Sequence, residues 1–174
     1  MTKFLTKAAL AVTVATGLFA APAMAAPAGN SSFKANAKIV KPVTMAKVTD
    51  LDFGTTVMNS SLTSATVTVG NATGSTAVCS SAQLTCSGGF PASFNLTSGV
   101  GGQTIQISFP GAPVTLDHAS IVGASVPFSV AAVSDVLLNA SGAGSFNVGG
   151  QITVSSSTAD GLYSATVNVE ANYL

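Results

Sequence analysis

The sequence is poor in the residues from which most active sites and nucleic-acid interfaces are built. It contains no tryptophan, no arginine, two tyrosines and one histidine, and charged residues make up 7% of the chain. An average soluble domain has roughly 25% charged residues. The chain therefore lacks the basic surface that nucleic acid requires, and its weakly charged surface suits an exported protein that packs against copies of itself.

Groups that could carry catalysis are isolated from one another. His118 stands beside Asp117, and on a strand neighbouring side chains point to opposite faces. No serine lies in the Gly-x-Ser-x-Gly turn of hydrolases, and Asp135, Asp160 and Glu170 are scattered singly among polar residues. We assign no catalytic residue and no cofactor, and expect a protein that is not an enzyme.

Two short patterns invite a metal interpretation. Asp50 and Asp52 flank Leu51 in TDLDFG, which fits a pair of calcium ligands or a capped turn; the capped turn is favoured because no third acidic ligand follows. Two cysteines and one distant histidine are too few for a four-ligand zinc site. No metal is expected.

The first 25 residues have the pattern of a secretory signal peptide. Lys3 and Lys7 precede an uncharged apolar run over residues 8–20, and Ala23-Met24-Ala25 supplies small residues at the two cleavage positions. A membrane anchor is the alternative, but the run is shorter than the ~20 residues that span a bilayer. Cleavage after Ala25 predicts an exported protein without a membrane anchor, with four lysines against six acidic residues.

Cys79 and Cys86 are the only cysteines. A pair of cysteines in an exported chain predicts a disulfide bond. Closing so short a loop contributes about 2.5 kcal/mol in the loop-entropy model, so the bond is expected to fix a local turn.

Apolar residues beyond the signal alternate with polar ones, and no stretch has the spacing of an amphipathic helix. This period of two predicts an all-β protein. Glycine pairs and a Pro-Gly step between the alternating runs predict turns with positive φ. Short strands separated in this way favour a single β-sandwich domain over residues 38–174. The alternating runs include Phe94 and Leu96; Ile105 and Ile107; Val126 and Phe128; Ile152 and Val154.

Two further alternating runs lie at the ends of the mature chain. The first run, FKANAKIV, follows the polar leader APAGNSS. Its apolar residues alternate with polar ones, which predicts a strand. The C-terminal run is also apolar on one parity, which predicts a strand with one buried face. The apolar residues of the first run are Phe33, Ala35, Ala37 and Ile39. Those of the second are Tyr163, Ala165, Val167, Val169, Ala171 and Tyr173.

The C-terminal run resembles the last strand of chaperone-usher pilin subunits. That family has an aromatic residue at the penultimate position and a glycine fourteenth from the end, where this chain has Tyr173 and Gly161. Together, DLDFG, FNVGGQITV and GLYSATVNVEANY resemble the exported bacterial domains called domain of unknown function 4402, which are considered pilin-like or adhesin-like.

The resemblance implies an immunoglobulin-like sandwich that lacks its last strand. The C-terminal strand, from Gly161 through Tyr173, would be the acceptor edge of a groove. A periplasmic chaperone would fill this groove first, and the N-terminal extension of the next subunit would replace it. The donor would be residues 26–37, with Phe33, Ala35 and Ala37 entering the groove. The implied partners are copies of the chain or related pilin subunits, with a chaperone and an usher, in a surface fimbrium.

Two alternatives remain open at the level of sequence. In the first, the N-terminal run is the first strand of its own domain and fills the groove in cis. In the second, the protein is a monomeric surface module that binds carbohydrate through its glycine-rich loops, although sugar sites favour aromatic residues, which are scarce here.

Overall fold

The computed structural model describes residue 29, residues 31–112 and residues 114–174. The expected signal peptide, residues 1–25, and most of the leader that follows it lie outside the described residues. Residues Lys38–Leu174 form one compact unit. In the described ranges, no helix has the length and apolar character needed to cross a membrane.

The described residues form strands and turns without a helix, which confirms the predicted all-β class. In chain order the strands are β1 (Thr44–Thr49), β2 (Thr55–Met58), β3 (Ala65–Val69), β4 (Ala77–Cys79), β5 (Leu84–Ser87), β6 (Ala92–Thr97), β7 (Thr104–Ser108), β8 (Val114–His118), β9 (Ser125–Val130), β10 (Val136–Leu137), β11 (Gly144–Val148), β12 (Gly150–Val154), β13 (Tyr163–Ser164) and β14 (Glu170–Tyr173).

The strands form four antiparallel sheets. The largest has the order β13-β8-β9-β12-β3-β4, two others have the orders β1-β6-β11 and β10-β7-β14, and β2 pairs with β5. Because many neighbours in the sheets are distant in sequence, long-range pairing dominates the fold. The sheets pack as a sandwich.

Two groups of buried side chains fill the interior. Core cluster one lies on the six-stranded sheet, and core cluster two lies between the two three-stranded sheets. Leu51 and Val130 pack against both clusters and mark their boundary. Core cluster one comprises Leu62, Ala65, Val67, Leu84, Val126, Phe128, Ile152 and Val154. Core cluster two comprises Ala92, Leu96, Ile105, Ile107, Leu138, Phe146 and Val148.

The predicted alternation places these residues inside. In β9, Val126 and Phe128 are buried while Pro127 is exposed, and in β7 the same holds for Ile105 and Ile107 about an exposed glutamine. Each fully buried aliphatic or aromatic side chain contributes roughly 1.5–3 kcal/mol. The period of two in the sequence therefore becomes the two faces of each strand.

The predicted disulfide is present between Cys79 and Cys86. It joins β4, at one edge of the six-stranded sheet, to β5 of the two-stranded sheet. Both cysteines are half-buried against core cluster one. The bond therefore fixes more than a turn, because it ties two sheets together at one corner.

The glycine pair in FNVGGQITV differs from its prediction. A positive-φ turn was expected at Gly149 and Gly150, but neither residue has positive φ. Gly149 alone separates β11 from β12, where the chain passes from one sheet to another. A Cβ there would overlap the backbone carbonyl oxygen of Val69. Glycine is needed at position 149 because the backbones of Gly149 and Val69 approach each other closely.

The TDLDFG motif forms a capped turn. The Asp52 carboxylate accepts a hydrogen bond from the Gly54 N–H at 2.7 Å, and Asp50 pairs with the Lys47 ammonium at 2.6 Å. The Phe53 ring packs edge-on against Phe128, with ring centroids 5.9 Å apart. The two carboxylates are thus engaged separately, and Phe53 anchors the turn on core cluster one.

Gly161 lies where the chain enters the C-terminal segment, against the ring of His118. The His118 Nδ1 accepts hydrogen bonds from the backbone N–H groups of Ser120 and Ile121 at 3.0 and 2.9 Å. Its Nε2 therefore carries the proton and donates to the Asp160 carbonyl at 2.8 Å. Gly161 has φ of +147°, and a Cβ would overlap the imidazole. The histidine is half-buried at the end of β8 and has a structural role.

Tyr173 holds the other end of the same segment. Its hydroxyl donates to the Lys41 carbonyl at 2.9 Å and accepts from the Val100 N–H at 3.0 Å. The penultimate aromatic therefore links the segment before β1 to the loop between β6 and β7.

Replacing Gly161 with alanine is expected to destabilise the domain strongly. Backbone strain alone costs about 1–3 kcal/mol, and the methyl group must also displace the His118 ring. Gly74→Ala is the matched control, since Gly74 has φ of +80° with nothing within 4 Å of the added Cβ. Urea unfolding should show a larger loss for Gly161→Ala. Equal losses of unfolding free energy in the two variants would show that contact with the His118 ring does not add to the cost at position 161.

Replacing Tyr173 with phenylalanine removes two hydrogen bonds, and Tyr163→Phe removes one, from the Tyr163 hydroxyl to the Ala159 carbonyl. At about 1 kcal/mol for each bond, the loss of unfolding free energy in Tyr173→Phe should be about twice that in Tyr163→Phe. Urea unfolding midpoints measure both. A smaller loss in Tyr173→Phe would contradict the role assigned to its hydroxyl.

Candidate functional site: an apolar groove beside the C-terminal segment

The C-terminal segment, residues 163–173, passes from one sheet to another. Its first two residues, β13, pair with β8, and its last four, β14, pair with β7. On the predicted inward parity, every residue except Ala165 is half-buried, whereas the polar parity is exposed. The segment thus has one inward face, as its alternation predicts, but that face is only partly covered.

Residues 165–169 lie between these two short strands and pair with neither. None of them forms a backbone hydrogen bond to another described residue. Unpaired backbone groups at a sheet edge are a template for another strand. The middle of the C-terminal segment is therefore an open edge, held in place at both of its ends.

An apolar groove of about 910 Å³ runs along this edge. One wall is the C-terminal segment and the turn before it, residues 158–169. The opposite wall is β1, the TDLDFG turn and β2. The rest of the lining, which forms the floor, is apolar and belongs to the two core clusters or packs against them. It comprises the buried Ala92, Val126, Phe128, Val148, Ile152 and Val154 and the half-buried Phe94, Phe109, Leu116 and Val130.

Both core clusters reach the floor of the groove. Tyr163 and Val167 pack against core cluster one, and Val169 packs against core cluster two. Leu51 and Val130, which touch both clusters, also line the groove. The groove is therefore lined by residues of both clusters.

Polar groups occur on the rim of the groove. Asp50, Asp52 and Asp160 line it together with Lys47, and Lys47 is paired with Asp50. The arrangement of an apolar floor, an unpaired backbone edge and an acidic rim can bind an extended peptide whose side chains alternate between apolar and polar.

The N-terminal run FKANAKIV forms no strand in this structure. The residues between Ser31 and Val43 have no strand pairing, and the first strand of the fold is β1. The side chains of Phe33 and Ile39 are 91% and 94% exposed, and Ala35 and Ala37 are exposed as well. The strand expected here is absent because an isolated strand has no partner to complete its hydrogen bonds.

Sequence reasoning identified one wall of the groove and missed the other. The structure brings the C-terminal residues from Gly161 to Val169 to the groove, whereas Ala171 and Tyr173 lie beyond its end. It also brings in β1 and β2, which were not expected to face this segment. The apolar residues Val43 and Met45, two positions apart in the sequence, were the available signal for β1, but this pattern is too short to indicate which segment it would oppose.

Comparison with known proteins supports assignment to a family. No curated protein and no solved structure matches the chain. The family model described as Domain of unknown function (DUF4402) matches residues 43–173, a range that includes both walls of the groove. The chain belongs to the DUF4402 family.

Proposed function

We propose that this protein is an exported, non-enzymatic structural subunit of a pilin-like fibre, and that its groove is filled by a β-strand donated by a neighbouring subunit. The proposal depends on one observation: two deficits, in backbone hydrogen bonding and in the burial of apolar side chains, occur at the same place. Residues 165–169 have no backbone partner among the described residues, and the groove beside them leaves apolar side chains such as Phe94 and Val130 only half-buried.

One added strand would remedy both deficits. Its backbone would hydrogen-bond to the open edge, and its alternate side chains would cover the floor, as in other cases of β-strand addition. Covering apolar surface is favourable by roughly 25 cal/mol per Å². In this proposal the domain is an immunoglobulin-like sandwich that lacks its last strand.

The N-terminal extension is the proposed donor. Its described residues form no helix or strand, and the large side chain of Phe33 is exposed. Burying such a side chain in a neighbour's groove is favourable by roughly 25 cal/mol per Å². Donation from residues 26–37 of one copy to the groove of the next would link subunits into a fibre at the cell surface.

The partners follow from the same physics. A periplasmic chaperone would occupy the groove before assembly, because an open edge over an apolar floor promotes aggregation, and an usher would exchange it for the next subunit. The disulfide is compatible with export.

Deleting residues 26–37 tests the donor. The full-length mature protein from the cell surface should run as a ladder on an unboiled denaturing gel and as a monomer after boiling, and the truncated chain should run as a monomer in both lanes. A ladder formed by the truncated chain would contradict donation by this segment. A full-length monomer without boiling would favour a domain that fills its own groove or a monomeric binding module.

A synthetic peptide of residues 31–40 should stabilise the truncated domain. Ligand at a hundred times its Kd adds about 2.7 kcal/mol, which thermal unfolding detects. The control peptide carries Phe33→Asp and Ala35→Asp, which place charges on the apolar parity. Equal stabilisation by both peptides would contradict insertion of these side chains into the groove.

A further inference from the structure

Charged residues are distributed unevenly along the chain. Residues 53–116 contain no Asp, Glu, Lys, Arg or His, and this run supplies β2 to β7 and the start of β8. Every strand of the six-stranded sheet comes from this run or from the uncharged stretches that follow it, except where Asp117 and His118 end β8. The six-stranded sheet therefore carries almost no charge.

The outer face of this sheet is formed by the residues that alternate with those of core cluster one. In β3, for example, Val67 is buried in the core, and Thr66 and Thr68 point outwards. Among the described residues, the one charged side chain on this face is that of Asp117, beside the edge strand β13. The outer face comprises Ser164 of β13; Thr115 and Asp117 of β8; Ser125, Pro127 and Ser129 of β9; Gln151 and Thr153 of β12; Thr66 and Thr68 of β3; and Val78 of β4.

Short side chains dominate the outer face. The longest of them, Gln151, accepts a hydrogen bond from the Thr68 hydroxyl at 3.3 Å, which holds it against the neighbouring strand. Serine, threonine and valine lose less side-chain entropy on burial than lysine or glutamate, so this face can be covered at a low entropic cost. Four neighbouring strands each place one residue in a single row about 14 Å long. The row consists of Ser129, Gln151, Thr68 and Val78.

The chemistry of the outer face disfavours several kinds of partner. Nucleic acid requires a basic surface, and no lysine or arginine lies on these strands. Sugar platforms use aromatic rings, which are absent from the outward positions of the described strands. A lipid surface favours a cluster of large apolar side chains, whereas here Val78 stands alone at the far edge.

A second copy of the chain does fit this face. The hydroxyl groups of serine and threonine can each donate and accept a hydrogen bond, so a face built from them is complementary to itself. A two-fold axis brings the same patch of two copies together. The central strands carry no charge that would repel its own copy or lose its hydration on contact.

The size of the outer face limits the strength of such a contact. Strands about 4.8 Å apart and up to about five residues long give an area of at most about 500 Å² for each copy. Two copies would bury at most about 1,000 Å², less than the roughly 1,600 Å² of a typical stable complex. Single domains should therefore associate weakly, and copies held in an array should associate more strongly.

We propose that the outer face of the six-stranded sheet is a self-association surface, on which two copies of the chain dock face to face about a two-fold axis. Neutral hydroxyl and amide side chains make the contact. It uses neither the apolar groove nor the N-terminal extension, so it applies to a monomer as well as to a subunit of a fibre, where it would join neighbouring fibres side by side.

A single cysteine on the outer face tests the contact. In Ser129→Cys, which places an exposed thiol in the row, a short bis-maleimide should join two copies into a covalent dimer on a boiled gel. Boiling separates strands that are exchanged between subunits, so the dimer band reports the face-to-face contact alone. Unboiled lanes of the same sample report strand donation, and the two results can fail independently.

The matched control is Asn95→Cys on β6. Asn95 is exposed, and its neighbours across β1 and β11, Ala46 and Ser145, are also uncharged. This variant should give only the small dimer yield of random collisions, because the control differs from Ser129→Cys in which sheet carries the thiol.

Charge placed on the outer face should abolish the contact. In the Ser129→Cys background, Gln151→Lys or Gln151→Glu opposes like charges across the docked faces, which should lower the dimer yield roughly a hundredfold. Mixing the two variants should restore the dimer, because Gln151 lies on a central strand and a two-fold axis brings its two copies close together. Asn95→Lys and Asn95→Glu in the same background should leave the yield unchanged.

Each contrary result overturns the inference. Equal yields from Ser129→Cys and Asn95→Cys would indicate random collision, and a higher yield from Asn95→Cys would place the contact on another sheet. A yield that ignores charge at Gln151, or that mixing does not restore, would exclude two-fold docking of this face. If urea unfolding shows that a charged variant does not fold, the comparison of the two cysteine variants still decides.

Discussion

The constraint on which the structure depends is that residues 165–169 hold their place without a backbone hydrogen bond to another described residue. Backbone N–H and C=O groups that lie near an apolar surface need hydrogen-bond partners, and groups left without them are costly. Here the groups that have no partner among the described residues lie along an apolar groove. The fold thus places unpaired backbone groups beside apolar side chains along the C-terminal segment, which is the combination that strand addition uses.

The ends of the C-terminal segment show how that edge is kept in place. At one end the His118 ring is held by two backbone donors and by the Asp160 carbonyl, and it leaves room only for glycine at position 161. At the other end the Tyr173 hydroxyl bridges Lys41 and Val100. Because each end of the segment is anchored by side-chain hydrogen bonds, residues 165–169 hold their place without pairing to another described strand. A preformed edge reduces the ordering cost of strand addition.

The sequence predicted the parts of this arrangement that depend on local pattern. Alternation indicated β9, β7 and the inward parity of the C-terminal segment, and two cysteines in a chain expected to be exported indicated their disulfide. Asp52 and Gly54 indicated a capped turn. In each case the determining residues lie close together in the chain, so the local sequence is enough to predict the local structure.

The parts that depend on long-range packing were not predictable in this way. The wall formed by β1 and β2 faces a segment more than a hundred residues away, and nothing within either segment encodes the distance between them. The role of Gly149 depends on the carbonyl of Val69, and that of Gly161 depends on His118. The N-terminal run alternates like a strand, yet alternation describes only which face is apolar and does not state which molecule supplies the partner.

The most direct test of the central claim is hydrogen–deuterium exchange at the amides of residues 165–169, compared between the assembled full-length protein and the monomer that lacks residues 26–37. We predict rapid exchange at these amides in the monomer. In the assembly, the amides that point towards the groove should be strongly protected. Protection that is already present in the monomer, or rapid exchange in both states, would show that no donated strand completes this edge.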